Sequence, residues 1–184
     1  MSIEIRPIVP EEWEAYARAD ASAFGFEVNM ERLEDTRQIF ELDRTLAAFD
    51  GEEIAGTTAI FSFDMTVPGG ALPTAGVTWV SVKPTHRRRG VLTAVIRRQL
   101  SDVRERCEAV AALWASESII YGRFGYGLAA EGVALEIERA RTGFARGTPG
   151  CGRCRLIDRE EALRTWPKVY DQVLPKQPGM YTRS

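Results

Sequence analysis

A mixed β-sheet flanked by helices, an α/β (α+β) arrangement, is the fold class this chain predicts, on three observations. Three strand-like stretches between Thr45 and Val82 follow one another with short turn signals between them, which predicts antiparallel pairing. The last of them runs into a helical stripe and then a further apolar stretch, a crossover whose two strands lie parallel. Two helical patterns come before all of these, so the sheet has helices to cover it. At 184 residues, 45% apolar and 27% charged, the chain is long and apolar enough to bury a sizeable core.

Each element has its own local reason. Ile3, Ile5 and Pro7 alternate with Glu4, Arg6 and Ile8, the pattern of a first strand. Pro10, Glu11 and Glu12 suit a first helical turn, where a missing N–H costs nothing and carboxylates meet the positive end of the dipole. Trp13, Tyr16, Ala17, Ala21 and Phe24 then form a helical stripe, which Phe24-Gly25-Phe26 interrupts. A second helix is expected from about Met30 to Leu42, then a short strand from Thr45 to Phe49 and a hairpin turn at Asp50-Gly51. From Ile54 a long strand alternates through Ala59, Phe61, Phe63, Met65 and Val67; Pro68-Gly69-Gly70 turns the chain, and Ala71 to Val82 returns. Val91, Leu92, Val95, Ile96, Leu100, Val103 and Cys107 share one helical face.

Ala109 to Trp114 reads as a short strand for the sheet centre. After a break at Gly122, Gly125-Tyr126-Gly127 opens an expected strand in which Val133, Leu135 and Ile137 share a face. Arg141 to Gly152 reads as loop, Arg155 to Ile157 as a last strand and Glu160 to Val173 as a last helix. Pro175 to Ser184 has no core pattern. The expected organisation is therefore one domain over 1–174 and a linker, cut short, over 175–184.

Composition narrows the function classes. A formal charge of −2 argues against nucleic acid as the main partner. No apolar run reaches transmembrane length and the N-terminus lacks a signal-peptide pattern, so no membrane association and a cytoplasmic location are expected. Cys151-Gly-Arg-Cys154 has zinc or redox spacing, but the single histidine, His86, lies in a basic loop and no second ligand pair exists. Both cysteines read as structural, and no metal is expected.

Chemistry concentrates between Val80 and Thr93. Val80, Ser81 and Val82 close a strand, Pro84 ends its pairing, and Arg87, Arg88, Arg89 and Gly90 lead into the helix beginning at Val91. A helix N-terminus presents unpaired N–H groups and positive potential, and the guanidinium groups beside it strengthen an anion site. Glycine lets phosphate approach the backbone. Neither the Walker A loop nor the three-glycine dinucleotide fingerprint occurs.

The stretch resembles motif A of the GNAT acetyltransferases, as Arg87-Arg88-Arg89-Gly90-Val91-Leu92, with Leu92 departing from the usual small residue. Tyr121-Gly122-Arg123-Phe124-Gly125-Tyr126 matches the Tyr-x-x-x-Gly-Phe/Tyr signature that follows the central strand in that family. Between Thr78 and Gly127 the likeness extends to the Eis (enhanced intracellular survival) type, through Pro84 to Leu92, Val110-Ala111-Ala112-Leu113, Ala115-Ser116-Glu117 and Ile120 to Gly127.

The resemblance implies a GNAT fold and an acetyl-CoA-dependent N-acetyltransferase that moves acetyl directly to a primary amine. Aminoglycoside, polyamine and lysine are the acceptor classes it suggests. Val80 and Val82 would pair with pantetheine, and the Val80 N–H would polarise the thioester carbonyl. Arg87, Arg88, Gly90, Val91 and Thr93 would hold pyrophosphate, with Ser116 a further coenzyme A contact. Tyr121 would protonate the departing thiolate. Phe24, Phe26, Thr78 and Trp79 are the expected acceptor-side residues.

Members of the Eis type are about twice as long and hexameric, so the full-length protein is expected to be a homo-oligomer and this chain alone to acetylate poorly. The residues themselves single out no base; Glu27, Asp64 and Glu117 are the available carboxylates. The other reading is a non-catalytic acyl-CoA-binding sensor or assembly domain. Retention of Tyr121 favours the enzyme, because a pure binder needs no thiolate acid.

Overall fold

The computed structural model describes residues 3–143, 147, 150 and 152–183. The chain divides into two compact units, 1–117 together with 173–184, and 118–172.

The first unit is built on one five-stranded sheet in the order β1 (Glu4–Arg6), β2 (Thr45–Asp50), β3 (Glu53–Val67), β4 (Gly70–Val82) and β5 (Val110–Leu113). The first four pair antiparallel and β5 lies parallel to β4, as the crossover rule requires. Thr57 and Thr58 show how the sheet is covered. They are consecutive, so their side chains point to opposite faces. Thr57 bonds toward α1 (Trp13–Phe24) and Thr58 toward α3 (Val91–Glu105), placing one helix on each face. On the α1 side, Trp79 stacks on Trp13 and Tyr16 at centroid distances of 5.5 and 5.8 Å, with Phe40 edge-on. On the α3 side Val91 and Val95 pack with Ala48 and Val82. Gly56 permits this closeness, because a Cβ there would lie 2.9 Å from the Ser81 carbonyl oxygen and 3.0 Å from Val91.

Some elements are shorter than the sequence predicts. α2 (Met30–Gln38) stops before Leu42, whose residues turn into a short 3-10 segment. Its start is capped by Asn29, which accepts from the N–H groups of Glu31 and Arg32. α3 buries Gln99 within its apolar stripe, where the amide nitrogen donates to Thr58 Oγ1 at 2.7 Å. Cys107 lies past the helix end with φ 59 and is exposed, so it does not extend the stripe.

Residues 179–182, read from sequence as lacking any core pattern, lie along β3. Gly179 N–H donates to Thr66 O, Thr66 N–H to Met180 O and Thr182 N–H to Asp64 O, at 2.7–2.9 Å. β2 pairs with β3 only as far as Ala59, which leaves the outer half of β3 with backbone groups to satisfy, and this segment supplies partners.

Among its described residues the second unit holds three short 3-10 turns, Ser118–Ile120, Gly122–Phe124 and Arg139–Arg141, and all but the last residue of α4 (Arg159–Val173). The strands expected after Gly127 and over Arg155 to Ile157 do not form. Val133, Leu135, Ile137 and Leu156 are exposed, and among the described residues no strand pairs with them. Alternation marks a face but supplies no pairing edge, and a strand alone leaves its backbone bonds unmade. Cys151 lies outside the described residues, and Cys154 is exposed.

Candidate active site

α3 opens on a left-handed turn. Arg88 has φ 62 and Gly90, the N-cap, has φ 80. Glycine adopts that conformation without strain, whereas a Cβ would not. No side chain caps the helix, so its first N–H groups are orphan donors at the positive end of the dipole. The three arginines divide their tasks. Arg89 donates to Asp50 Oδ2 at 2.9 Å, and buried His86 approaches the same oxygen at 3.3 Å through Nε2. The Arg89 hydrogen bond, with His86 behind it, holds the Asp50 carboxyl below its ordinary range. Asp50 at the β2–β3 turn therefore braces the loop. Arg87 and Arg88 are exposed, with Arg87 donating to Ala23 O at 3.4 Å. Val91 is buried under the loop and Thr93 is half-buried on the first turn.

A second feature lies at the end of β4. Its parallel pairing with β5 covers only Thr74 to Val77, so Thr78 to Val82 run on without β5. On its other side β4 pairs with β3 through a bulge, where Thr58 faces two residues, Trp79 and Val80, and Trp79 takes φ 49. The Trp79 carbonyl accepts from Thr57 Oγ1 on β3 at 2.8 Å. In a trans peptide the C=O and N–H point oppositely, so the Val80 N–H points away from the Thr57 hydroxyl.

Around that bulge Thr57 Oγ1 lies 2.7 Å from Ser81 Oγ and 3.3 Å from Asp20 Oδ1. Asp20 is half-buried, and desolvation pushes its carboxyl above the ordinary range against hydrogen bonds from Ser81 and Thr57. Tyr16, one turn earlier on α1, is fully buried and donates to Thr58 O at 2.6 Å; Phe24, one turn later, is exposed and stacks on Phe26. The side chain of Trp79 belongs to the aromatic core, and Thr78 is half-buried on β4. Sequence reasoning missed Asp20, Thr57 and Ser81. The available signal was a carboxylate four residues after Tyr16 on the core-facing stripe of α1, where a solvated face would carry it harmlessly. By contrast Glu27, Asp64 and Glu117 are all exposed.

In the second unit Tyr121 is buried, its ring edge-on to Tyr126 at 5.8 Å. The 3-10 turn that follows ends at Gly125 with φ 92, and the Phe124 N–H bonds back to the Tyr121 carbonyl at 2.9 Å. Burial raises the Tyr126 phenol to about 12, and its hydroxyl has no hydrogen-bond partner among the described residues. Ser116, in the first unit, is exposed after β5. No group of three or more His, Cys, Asp or Glu side chains among the described residues is arranged to hold a metal ion. No helix among them is long and apolar enough to cross a membrane.

Comparison with known proteins adds an independent finding. The profile of the family described as acetyltransferase (GNAT) domain matches residues 4–129. An uncharacterized N-acetyltransferase of Streptomyces coelicolor is 44% identical over all of this chain and 46% of its own length. The N-acetyltransferase Eis of Mycobacterium tuberculosis is 31% identical over 97% of this chain and 47% of its own. The crystal structure of Eis1 from Mycobacterium abscessus superposes with a TM-score of 0.79 at 34% identity, covering 98% of this chain and 45% of that one. The chain thus spans about half the length of the curated relatives it matches.

Proposed function

The chain belongs to the GNAT acetyltransferase family, and on that premise we propose that it binds acetyl-CoA and transfers the acetyl group to a primary amine. The observation that carries this reading is the end of β4. It leaves β5 at Val77, carries a bulge at Trp79 and Val80 and leads to the N-terminus of α3, which no side chain caps. A ligand with an amide-bearing arm and a pyrophosphate fits that sequence of donors: an unpaired strand edge, then orphan N–H groups flanked by Arg87 and Arg88.

In this reading Val80 and Val82 pair with the pantetheine arm, and the Val80 N–H stabilises the developing oxyanion. Gly90, Val91 and Thr93 offer backbone N–H groups to phosphate, and Ser116 adds a polar contact. Acetyl-CoA supplies an acyl carbon activated by a thiol leaving group. The acceptor forms a C–N bond as the C–S bond breaks with its electron pair on sulfur, and Tyr121 gives that sulfur its proton. An ammonium acceptor loses two protons overall; one restores to Tyr121 the proton it gave to the thiol, and the other goes to solvent. Aminoglycoside, polyamine and lysine amines are the acceptor classes we propose, with Phe24 and Phe26 lining their approach. We also propose a homo-oligomer, on the likeness to Eis.

The test is calorimetry with coenzyme A together with thiol release over a panel of amines. Arg88→Glu combined with Gly90→Val is expected to abolish coenzyme A binding, and undiminished affinity would remove the site. Tyr121→Phe is expected to bind normally but lower kcat by ~10²–10⁴-fold, the worth of a general acid. Binding without thiol release from any amine would instead favour an acyl-CoA-binding module.

A further inference from the structure

We infer that Thr57 is a positioning residue for acetyl transfer: its hydroxyl holds the carbonyl of the Trp79–Val80 peptide, and through that peptide it aims and polarises the Val80 N–H. The inference rests on the acetyltransferase reading above, in which that N–H is the oxyanion donor. The backbone here needs holding. Trp79 has φ 49, a conformation that a bulky residue rarely adopts and that persists only where its surroundings impose it. Its ring is held on three sides, stacked on Trp13 and Tyr16 with Phe40 edge-on. Those contacts fix the side chain and the Cα. Rotation of the next peptide about the Cα–C bond is a separate freedom, and the bulge interrupts the regular register that would otherwise limit it.

Thr57 limits it. The residue is wholly buried on β3, opposite Ser81 in register, and its Oγ1 donates to the Trp79 carbonyl at 2.8 Å. Ser81 Oγ lies 2.7 Å from the same hydroxyl, and Asp20 Oδ1 lies farther, at 3.3 Å. Each hydroxyl has one proton to give, whereas a carbonyl can only accept. Both short contacts carry a proton when Ser81 donates to Thr57 and Thr57 donates to the Trp79 carbonyl. The opposite direction would leave that carbonyl without the Thr57 proton. The geometry therefore sets up a relay of two hydroxyls ending on one peptide oxygen.

The consequence falls at the other end of that peptide. Because C=O and N–H point oppositely in a trans peptide, a bond made to the carbonyl sets the direction of the Val80 N–H. A carbonyl that accepts a hydrogen bond polarises its own amide, and successive bonds in a buried site reinforce one another, so the N–H becomes a better donor. An oxyanion donor gains from both, since its worth lies in being aimed in advance at charge that develops during reaction. The strand that carries Thr57 is itself pinned. Its neighbour Thr58 accepts from the Tyr16 phenol at its carbonyl, at 2.6 Å, and from the Gln99 amide at Oγ1, at 2.7 Å.

The experiment records the infrared band of the thioester carbonyl in acetyl-CoA, isotope-labelled at that carbon and bound without an acceptor, together with coenzyme A affinity and with kcat and KM on a polyamine. Wild type is expected to move the band to lower frequency than in the free ligand. Thr57→Val keeps the shape and removes the donor. It is expected to keep coenzyme A affinity and the KM for the amine, to lose most of the band shift, and to lower kcat by about 10-fold or more, short of the ~10²–10³ that loss of a whole oxyanion donor costs. Thr57→Ser is expected to restore both readouts. Thr45→Val is the control: it deletes an equally buried hydroxyl, one that donates to Leu42 O at 2.7 Å, and is expected to leave the band and kcat as in wild type. Ser81→Ala removes the donor behind Thr57 and is expected to move the band part of the way, which keeps the test open if Thr57→Val does not fold. An unchanged band in Thr57→Val, or in Ser81→Ala where the former does not fold, would overturn the role of Thr57 while leaving the acetyltransferase reading intact; so would an equal loss of kcat in Thr45→Val. A wild type that binds acetyl-CoA without moving the band would overturn Val80 as the oxyanion donor, and this inference with it.

Discussion

Individual side chains here carry charge in two distinct ways. Glu12 faces Arg6 in a two-pronged pair at 2.6 and 2.8 Å and also accepts the Val9 N–H at 2.9 Å, so it stays ionised well below its ordinary value of 4.5, to about 2. The Arg6 hydrogen bond is the largest cause. A folded value below the unfolded one means stability that is present above pH 4.5 and lost as pH falls toward 2. The pair is partly solvated, so Glu12→Gln is expected to cost about 1 kcal/mol at pH 7. Urea titrations should show the difference from wild type shrinking below pH 4.5 and gone near pH 2. Asp20 is the opposite case, a carboxylate pushed upward by desolvation against the hydrogen bonds of Ser81 and Thr57.

At the scale of elements, the candidate site depends on how closely β3, β4 and α3 approach one another. Gly56 sits where they meet, opposite Val82 in register and against the first residue of α3. A methyl group there would meet the Ser81 backbone oxygen at 2.9 Å, and a strand in the middle of a sheet cannot step aside cheaply. Gly56→Ala is expected to cost about 1–3 kcal/mol by overpacking. Because Ser81 and Val91 are the atoms displaced, the same variant is expected to weaken coenzyme A binding in calorimetry. A destabilised variant of unchanged affinity would separate the packing of this corner from the ligand site. Gly90 fails for another reason. Nothing crowds it, and its φ of 80 alone strains any larger residue.

Across the first unit as a whole, the two ends of the chain segment from β2 to β5 are joined by a buried ion pair. Arg44, just before β2, makes two bonds to Glu108, just before β5, and also donates to Ser62 Oγ on β3. Both side chains are almost wholly buried. Removing one partner leaves a charge in low dielectric without compensation, so Glu108→Ala is expected to cost about 3–5 kcal/mol in thermal or urea unfolding. Replacing both partners with apolar residues should recover much of that loss. A loss of less than about 1 kcal/mol in Glu108→Ala would show that water reaches the site, as at an exposed pair.

Periodicity and turn chemistry along the chain were enough to determine the helices α1, α3 and α4, the antiparallel run of the three strands from Thr45 to Val82 and the parallel crossover, because each depends on contacts within a few residues or on a handedness rule. The glycine entry to α3 and its flanking arginines were legible for the same reason: the requirement for φ > 0 and for orphan N–H groups is local. Tertiary structure alone decided which arginine braces Asp50, and that Gln99 belongs in the core because Thr58 waits for it across the sheet. It also decided that the alternating residues around Val133 to Ile137 find no strand to pair with among the described residues. Asp20, Thr57 and Ser81 are far apart in sequence, and only the bulge of β4 under α1 brings a helix carboxylate and two strand hydroxyls together. A hydrogen-bonded cluster of that kind is a property of distances between elements, and no spacing within any one of them encodes it.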